Sequence, residues 1–142
     1  MKNNLIKTLW LGAMVLSLGT ASLFAQAGAD VIASESVPVA SLDKAALKDI
    51  LLGKTAYWEG GQAVTIIVLA DKTDAALQET TGMTAGAFKT FWQRLTFSGR
   101  GKQPKEADTV EKLLAMVAET KGAIALVPAG TELKGVKKIE VK

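Results

Sequence analysis

The stretch AVTIIVLA at residues 63–70 decides the fold class of this chain. Its residues are nearly all apolar and several are β-branched, which favours a β-strand. An apolar run without polar alternation is typical of a strand covered on both faces, as in α/β proteins. A second run of this kind, GAIALV at residues 122–127, is stopped by Pro128. These two strands predict an α/β domain with a small mixed sheet flanked by helices.

Helices and further strands are predicted around these two runs. Residues 30–34 (DVIAS) predict an opening strand, and residues 136–141 alternate apolar residues with lysine, which predicts an edge strand. Helices are predicted at 42–52, from about 74 to 77–79, at 85–95, and from about 109 to 120. The order of elements is therefore β-α-β-α-α-α-β-β, with no internal repeat.

Residues with a capping preference precede each predicted helix. Gly53 is placed to end the first helix. In the loop at 54–62, Tyr57 and Trp58 are expected to fold back onto the core. The predicted N-terminal caps are Ser41, then Asp71 or Thr73, then Thr84, and finally Asp108 with Glu111 in a capping-box spacing.

Residues 1–27 have the layout of a secretory signal peptide. Lys2 and Lys7 precede an almost wholly apolar run at 9–23, and Ala25-Gln26-Ala27 is a small-x-small cleavage signal. Cleavage is expected after Ala27, with Ala29 as the alternative. An uncleaved membrane anchor is the other interpretation, although the apolar run is shorter than the roughly 20 residues that a spanning helix needs. Residues 28–142 are then one domain, long enough to bury a core.

Charge and composition exclude several classes of function. The formal net charge of +3 falls to +1 without the leader, with 15 basic and 14 acidic residues, so no nucleic-acid surface is expected. The chain has no cysteine and no histidine, which excludes disulfides, Cys–His and Ser–His–Asp nucleophiles and most zinc and copper sites. No metal and no cofactor is predicted. A leader without disulfides favours a periplasmic location.

The strongest functional lead is FKTFWQRLTFSGRGKQP at residues 88–104. Phe88, Phe91, Trp92 and Leu95 share one helical face, and the helix leads into the glycine-rich, cationic loop 98–102. Such a loop can form an anion cradle from the residues Ser98, Gly99, Arg100 and Gly101, with Lys102 adding charge. The alternative interpretation is a surface turn between helices with solvated basic side chains.

Two weaker candidates follow strands, where α/β proteins gather ligands. Residues 71–74 read Asp-Lys-Thr-Asp, so that Lys72 and Thr73 could contact an anion; ordinary helix capping is the alternative. Residues 34–36 (Ser-Glu-Ser) are a third candidate. Glu59, Glu106 and Glu111 form no recognisable acid–base pair, and the chain is not expected to be an enzyme.

A series of short motifs occurs in a fixed order along residues 30–127: Ser41-Leu42, LKDILLGK at 47–54, Trp58, Gly60-Gly61, Trp92, FSGRGK at 97–102, Pro104 and Gly122-Ala123-Ile124. In these motifs and their order the sequence resembles the small, single-lobe proteins of the phosphate ABC transporter substrate-binding family. The resemblance implies the fold of one lobe of a type II periplasmic binding protein. It also implies a non-catalytic component that binds phosphate or a similar oxyanion and works with an ABC importer in the periplasm.

The sequence departs from that family at two places. The arginine and Ser-Gly-Thr run by which the full-length phosphate binders hold the anion is replaced by Ala-Asp-Lys-Thr-Asp at 70–74. The family's Gly-Tyr after the last buried strand is Ala125-Leu126. These differences keep an alternative function open: a periplasmic protein–protein interaction module that has kept the fold and lost the small ligand.

Overall fold

The computed structural model describes residues 28–70 and 74–142. Within these residues, ten elements follow one another and confirm an α/β fold. They are β1 (Ala29–Ala33), β2 (Ser41–Leu42), α1 (Lys44–Leu51), β3 (Thr65–Leu69), α2 (Asp74–Thr81), α3 (Ala85–Phe97), β4 (Lys105–Ala107), α4 (Val110–Glu119), β5 (Ala123–Pro128) and β6 (Lys137–Val141).

The six strands form a mixed sheet in the order β2-β6-β1-β5-β3-β4. β3 is parallel to β4 on one side and to β5 on the other, whereas β1 is antiparallel to both β5 and β6. At Ile67, for example, β3 faces Lys105 of β4 and Ala125 of β5. The apolar runs quoted above are thus interior strands, as their composition predicts.

Helices cover both faces of this sheet. Successive residues of β3 enter different cores: Ile66 packs with α1, α2 and α3, while Ile67 packs with α4. Successive residues of β5 also enter different cores, with Ile124 on the first face of the sheet and Ala125 on the second. Because side chains alternate along a strand, a run that is apolar at every position supplies both cores.

The aromatic helix α3 packs through one face. Thr84 caps its start, as predicted, by accepting a hydrogen bond from the Ala87 N–H at 3.2 Å. Phe88 and Trp92 are buried and meet edge to face, with their ring centroids 6.3 Å apart. Trp58 is also buried, and its indole N–H donates to the carbonyl oxygen of Gly122 at 2.9 Å. The two tryptophans are core anchors, as the sequence indicates.

Two helix caps differ from the prediction. Asp43, not Ser41, caps α1, because Ser41 pairs with Glu140 of β6 in a short parallel strand. Thr109, not Asp108, caps α4 by accepting from the Lys112 N–H at 3.2 Å. The alternatives Asp71 and Thr73 for α2 lie outside the described residues.

The sheet edges and one aromatic residue also differ from the prediction. β6 is not an edge strand, since β2 pairs with it on its outer side and β1 on its inner side. The two strands that the prediction missed, β2 and β4, form the edges of the sheet. Tyr57 does not fold onto the core; it is 64% exposed, although Trp58 beside it is buried.

Candidate functional site

The loop after α3 forms a helix-capping turn. The N–H groups of Ser98, Gly99 and Arg100 donate to α3 carbonyl oxygens, each at 3.0 Å. The Ser98 hydroxyl donates to the Leu95 carbonyl at 2.9 Å, and Gly99 adopts the left-handed φ of 74° that favours glycine. These three backbone donors and the hydroxyl proton are therefore used within the helix end.

The position of this loop also bears on what it can bind. It lies at the C-terminal end of α3, where the helix dipole favours cations rather than anions. Gly101 sits close to the ring of Trp92, since a Cβ added there would lie 2.9 Å from that ring. The structure brings Ser98, Gly99, Arg100 and Gly101 into one turn. Oxyanion binding there remains a prediction that depends on the side chains of Arg100 and Lys102.

The second predicted group is only partly described. Lys72 and Thr73 lie outside the described residues. Asp74, which follows them, begins α2, and its carboxylate accepts a hydrogen bond from the Ala85 N–H at the first residue of α3. The Thr84 hydroxyl accepts from Ala87 in the same turn. The protein's own oxygens thus bind two N–H groups of the α3 N-terminus, where a free anion would otherwise be favoured.

Asp74 and Ser98 mark opposite ends of α3. This helix has 13 residues, which corresponds to a length of about 20 Å. The cationic loop therefore lies far from the end of α3 that Asp74 contacts.

The third candidate, residues 34–36, forms a small internal network. The hydroxyl oxygens of Ser34 and Ser36 are 3.0 Å apart, and Ser34 is buried. The Ser36 hydroxyl oxygen accepts from the Gly122 N–H at 3.1 Å. These serines join the end of β1 to the start of β5, which is a structural role.

A cavity that the sequence interpretation missed lies between α3 and the β3–β4 edge. Its volume is about 230 Å³. Its walls are mainly apolar, and Lys89 and Glu106 form a half-exposed ion pair of 3.1 Å among the lining residues. Because it adjoins the carboxyl end of β3, the positional rule for α/β sheets could have indicated it. The lining residues are Val68, Leu69, Ala70, Leu77, Ala85, Gly86, Phe88, Lys89, Trp92, Gln103, Pro104 and Glu106.

Neither a metal cluster nor a membrane helix is found in the parts of the chain that the structure describes. No group of three or more aspartate, glutamate, histidine or cysteine residues lies within reach of a common metal ion in 28–70 and 74–142. Across the same residues, no helix is long and apolar enough to cross a bilayer.

Solved structures with the same arrangement of strands and helices come from phosphate transport. A phosphate ABC transporter substrate-binding protein of Clostridium perfringens, solved with bound phosphate, superposes with a TM-score of 0.62 and 20% identity over 80% of this chain. The chain has the fold of one lobe of a phosphate-binding protein. An ABC-type phosphate transport receptor of Vibrio cholerae (TM-score 0.55, 16% identity) and PstS of Borrelia burgdorferi (TM-score 0.54, 12% identity) each match 80% of the chain as well.

This lobe spans less than half the length of those proteins. It covers 44% of the Clostridium chain, 46% of the Vibrio chain and 47% of the Borrelia chain. At these identities the likeness establishes the fold, and the neighbours are transport-binding proteins rather than enzymes. No protein-family model and no curated protein sequence matches the chain.

Proposed function

We propose that this chain is an exported, non-catalytic binding component that works with an ABC importer and takes phosphate or a similar oxyanion as its ligand. The observation that supports this proposal is the fold shared with phosphate-importer binding proteins, one of them solved with bound phosphate. The described residues offer no cluster suited to metal catalysis. Binding rather than catalysis is therefore the function that best fits the fold.

Export is supported by the leader pattern at 1–27 and by the start of the fold. β1 begins at Ala29, which pairs with Pro128 of β5. Cleavage after Ala27 would keep the whole of β1, whereas cleavage after Ala29 would remove its first residue. The proposal therefore includes cleavage after Ala27 and a periplasmic location.

The proposed oxyanion contact is the side chain of Arg100, in the turn that also holds Ser98, Gly99 and Gly101. Lys72 and Thr73, which precede Asp74 in the sequence, would be a separate contact. Arg100 is exposed, and none of the ion pairs within 28–70 and 74–142 involves it. Its guanidinium is therefore available to a ligand, and guanidinium groups suit tetrahedral oxyanions because they donate bidentate hydrogen bonds.

A second function, binding to another periplasmic protein, is favoured by Asp74. Its carboxylate occupies an N–H of the α3 N-terminus and places a negative charge there. That charge would repel an oxyanion approaching this end of the helix. A lobe of this kind would keep the fold and contact a protein partner instead of a small ligand.

The two functions are separated by thermal melts of the exported protein with about 10 mM phosphate, sulfate or nitrate. A ligand at about 100 times its Kd adds roughly 2.7 kcal/mol to the free energy of unfolding, which raises Tm by several degrees. The protein is expressed from the full sequence and purified from the periplasm, so that its mass also reports the cleavage point.

Three variants make this experiment specific. Arg100→Ala is expected to abolish a phosphate-dependent rise in Tm, while Lys121→Ala, which removes an exposed cation elsewhere, should retain it. Asp74→Ala should increase the rise if the anion binds near the start of α3. If no anion shifts Tm in any variant, oxyanion binding is rejected and the protein-binding function is retained.

A further inference from the structure

An open groove of about 410 Å³ runs along the outer side of α3. The residues that line this groove recur every three or four positions in the sequence, so they form one stripe along the helix. The buried residues Phe88 and Trp92 point to the core from a different side of α3. The groove is lined by Met83, Gly86, Ala87, Thr90, Phe91 and Arg94.

Phe97 lies beyond the residues that line this groove, at the C-terminal end of α3. It lies three residues after Arg94 and seven after Thr90, which places it on the same side of the helix. Its side chain is 94% exposed, although phenylalanine is among the residues most often buried. A fully exposed aromatic side chain at the end of an apolar groove is typical of a protein-binding surface.

The segment that forms the groove carries charge of one sign, although the Asp74 carboxylate contacts the start of α3 from outside this segment. Residues 80–105 contain five basic residues and no acidic residue, whereas the remainder of 28–142 contains ten basic and fourteen acidic residues. Lys89 is paired with Glu106. Within the portion that the structure describes, no ion pair involves Arg94 or Arg100. The positive charges of both guanidinium groups are therefore not paired with a carboxylate there.

We propose that this α3 surface, formed by Met83, Ala87, Phe91, Arg94 and Phe97, docks an acidic amphipathic segment of another protein. Apolar side chains of the partner would fill the groove against Phe91 and Phe97, and its carboxylates would pair with Arg94 and Arg100. The inference rests on the protein-binding function proposed above and names its surface. It is independent of oxyanion binding.

A second copy of the chain fits this surface less well. Its acidic residues are dispersed over the fold rather than gathered in one segment. Five of them are already paired with lysines of the same chain: Asp30, Asp49, Glu106, Asp108 and Glu132. The proposal therefore takes the complementary acidic segment to belong to a different protein.

The test uses a displayed library of random 12-residue peptides selected on the exported full-length product. Selected peptides are synthesised, and their Kd values are measured for the wild type and four variants. Phe97→Ser removes the exposed aromatic ring, and Arg94→Glu reverses the charge in the groove. The matched controls are Tyr57→Ser, which removes another exposed aromatic ring, and Lys121→Glu, a charge reversal outside the groove.

The proposal expects peptides that combine aspartate or glutamate with apolar residues. Their affinity should fall at least about tenfold in Phe97→Ser and in Arg94→Glu, and change less than about twofold in the controls. Melting curves check that each variant is folded. Peptides without acidic residues, or peptides that bind Phe97→Ser as well as wild type, would overturn the α3 surface while leaving protein binding intact.

Two other outcomes would also contradict the proposed docking of an acidic segment on the α3 surface. If sedimentation shows a wild-type dimer that Phe97→Ser converts to a monomer, the surface joins two copies of this chain. If no peptide is selected at all and the protein is a monomer, both the surface and the protein-binding function lose their support.

Discussion

The indole N–H of Trp92 donates a hydrogen bond of 3.0 Å to the carbonyl oxygen of Leu51 and so joins α3 to the C-terminal end of α1. Both residues are buried. The same ring closely approaches Gly53, two residues after the end of α1, since a Cβ added there would lie 2.8 Å from it. Trp92 therefore joins these two helices both by apolar packing and by a donated hydrogen bond.

Trp92→Phe should destabilise the protein by removing this donor. The Leu51 carbonyl would lose its bond in a buried place, and the smaller ring would leave a void. We expect the free energy of unfolding to fall by about 2 kcal/mol and Tm by roughly 10 °C. Phe97→Ser, which changes an exposed residue of the same helix, should alter stability by less than about 0.5 kcal/mol. Equal melting points for the two variants would contradict this role of Trp92.

Two glycines near α3 should respond to alanine with opposite signs. At Gly101 a Cβ would lie 2.9 Å from the Trp92 ring and 3.2 Å from Leu95, so Gly101→Ala should cost about 1–3 kcal/mol. At Gly86, an exposed helical position, nothing lies within 4 Å, so Gly86→Ala should stabilise by about 0.5–1 kcal/mol. Denaturant unfolding measures both, and a destabilising Gly86→Ala would be the unexpected result.

Thr96→Val should stabilise the protein. The Thr96 hydroxyl oxygen is buried and has no hydrogen-bond partner among the described residues. Replacing an unsatisfied hydroxyl by a methyl group of similar shape should raise the free energy of unfolding by about 1 kcal/mol. Thr90→Val is the matched control, because the Thr90 hydroxyl is exposed and donates to the Gly86 carbonyl at 3.1 Å. A gain of the same size in both variants would mean that the hydroxyl of Thr96 is satisfied.

Asp74 should stabilise the fold by linking the starts of α2 and α3. Its carboxylate accepts from the Ala85 N–H, eleven residues away in the chain. Asp74→Ala should cost about 1 kcal/mol, and Asp74→Asn less, since the amide oxygen still accepts but no longer interacts as a charge with the helix dipole. Urea unfolding at low and high salt tests this, because only the charge contribution is screened. If both variants are as stable as wild type, the bond contributes nothing to the fold.

Long apolar segments made most of the fold predictable. The strands β3 and β5 and the helix α3 carry their own signals: β-branched apolar runs for the strands, and apolar residues at helical spacing after Thr84 for the helix. The missed strands have two and three residues, too few for any pattern. Pairing with β6 and β3 is what orders them, and such long-range partners are not visible in a local window.

The candidate site was harder to predict because one loop pattern fits two structures. Glycine with serine and arginine after a helix is as suitable for a C-terminal cap as for an anion cradle, and the bonds from Ser98, Gly99 and Arg100 to α3 show the cap. The exposure of Phe97 did leave a sequence signal. It lies five residues after Trp92, off the stripe of Phe88, Trp92 and Leu95, and so faces away from the core.

The buried, hydrogen-bonded indole rings of the two core tryptophans also allow unfolding to be followed by intrinsic fluorescence. Trp58 is bound to Gly122 and Trp92 to Leu51, so each ring is shielded from water in the native state and becomes solvated on unfolding. Their fluorescence emission should shift to longer wavelength when the chain denatures. In the protein cleaved after Ala27, which lacks Trp10, a Trp58→Phe or Trp92→Phe variant leaves one tryptophan to follow, either at the β5 end of the sheet or at the α1–α3 contact. Whether those two regions unfold together can then be measured without an added dye.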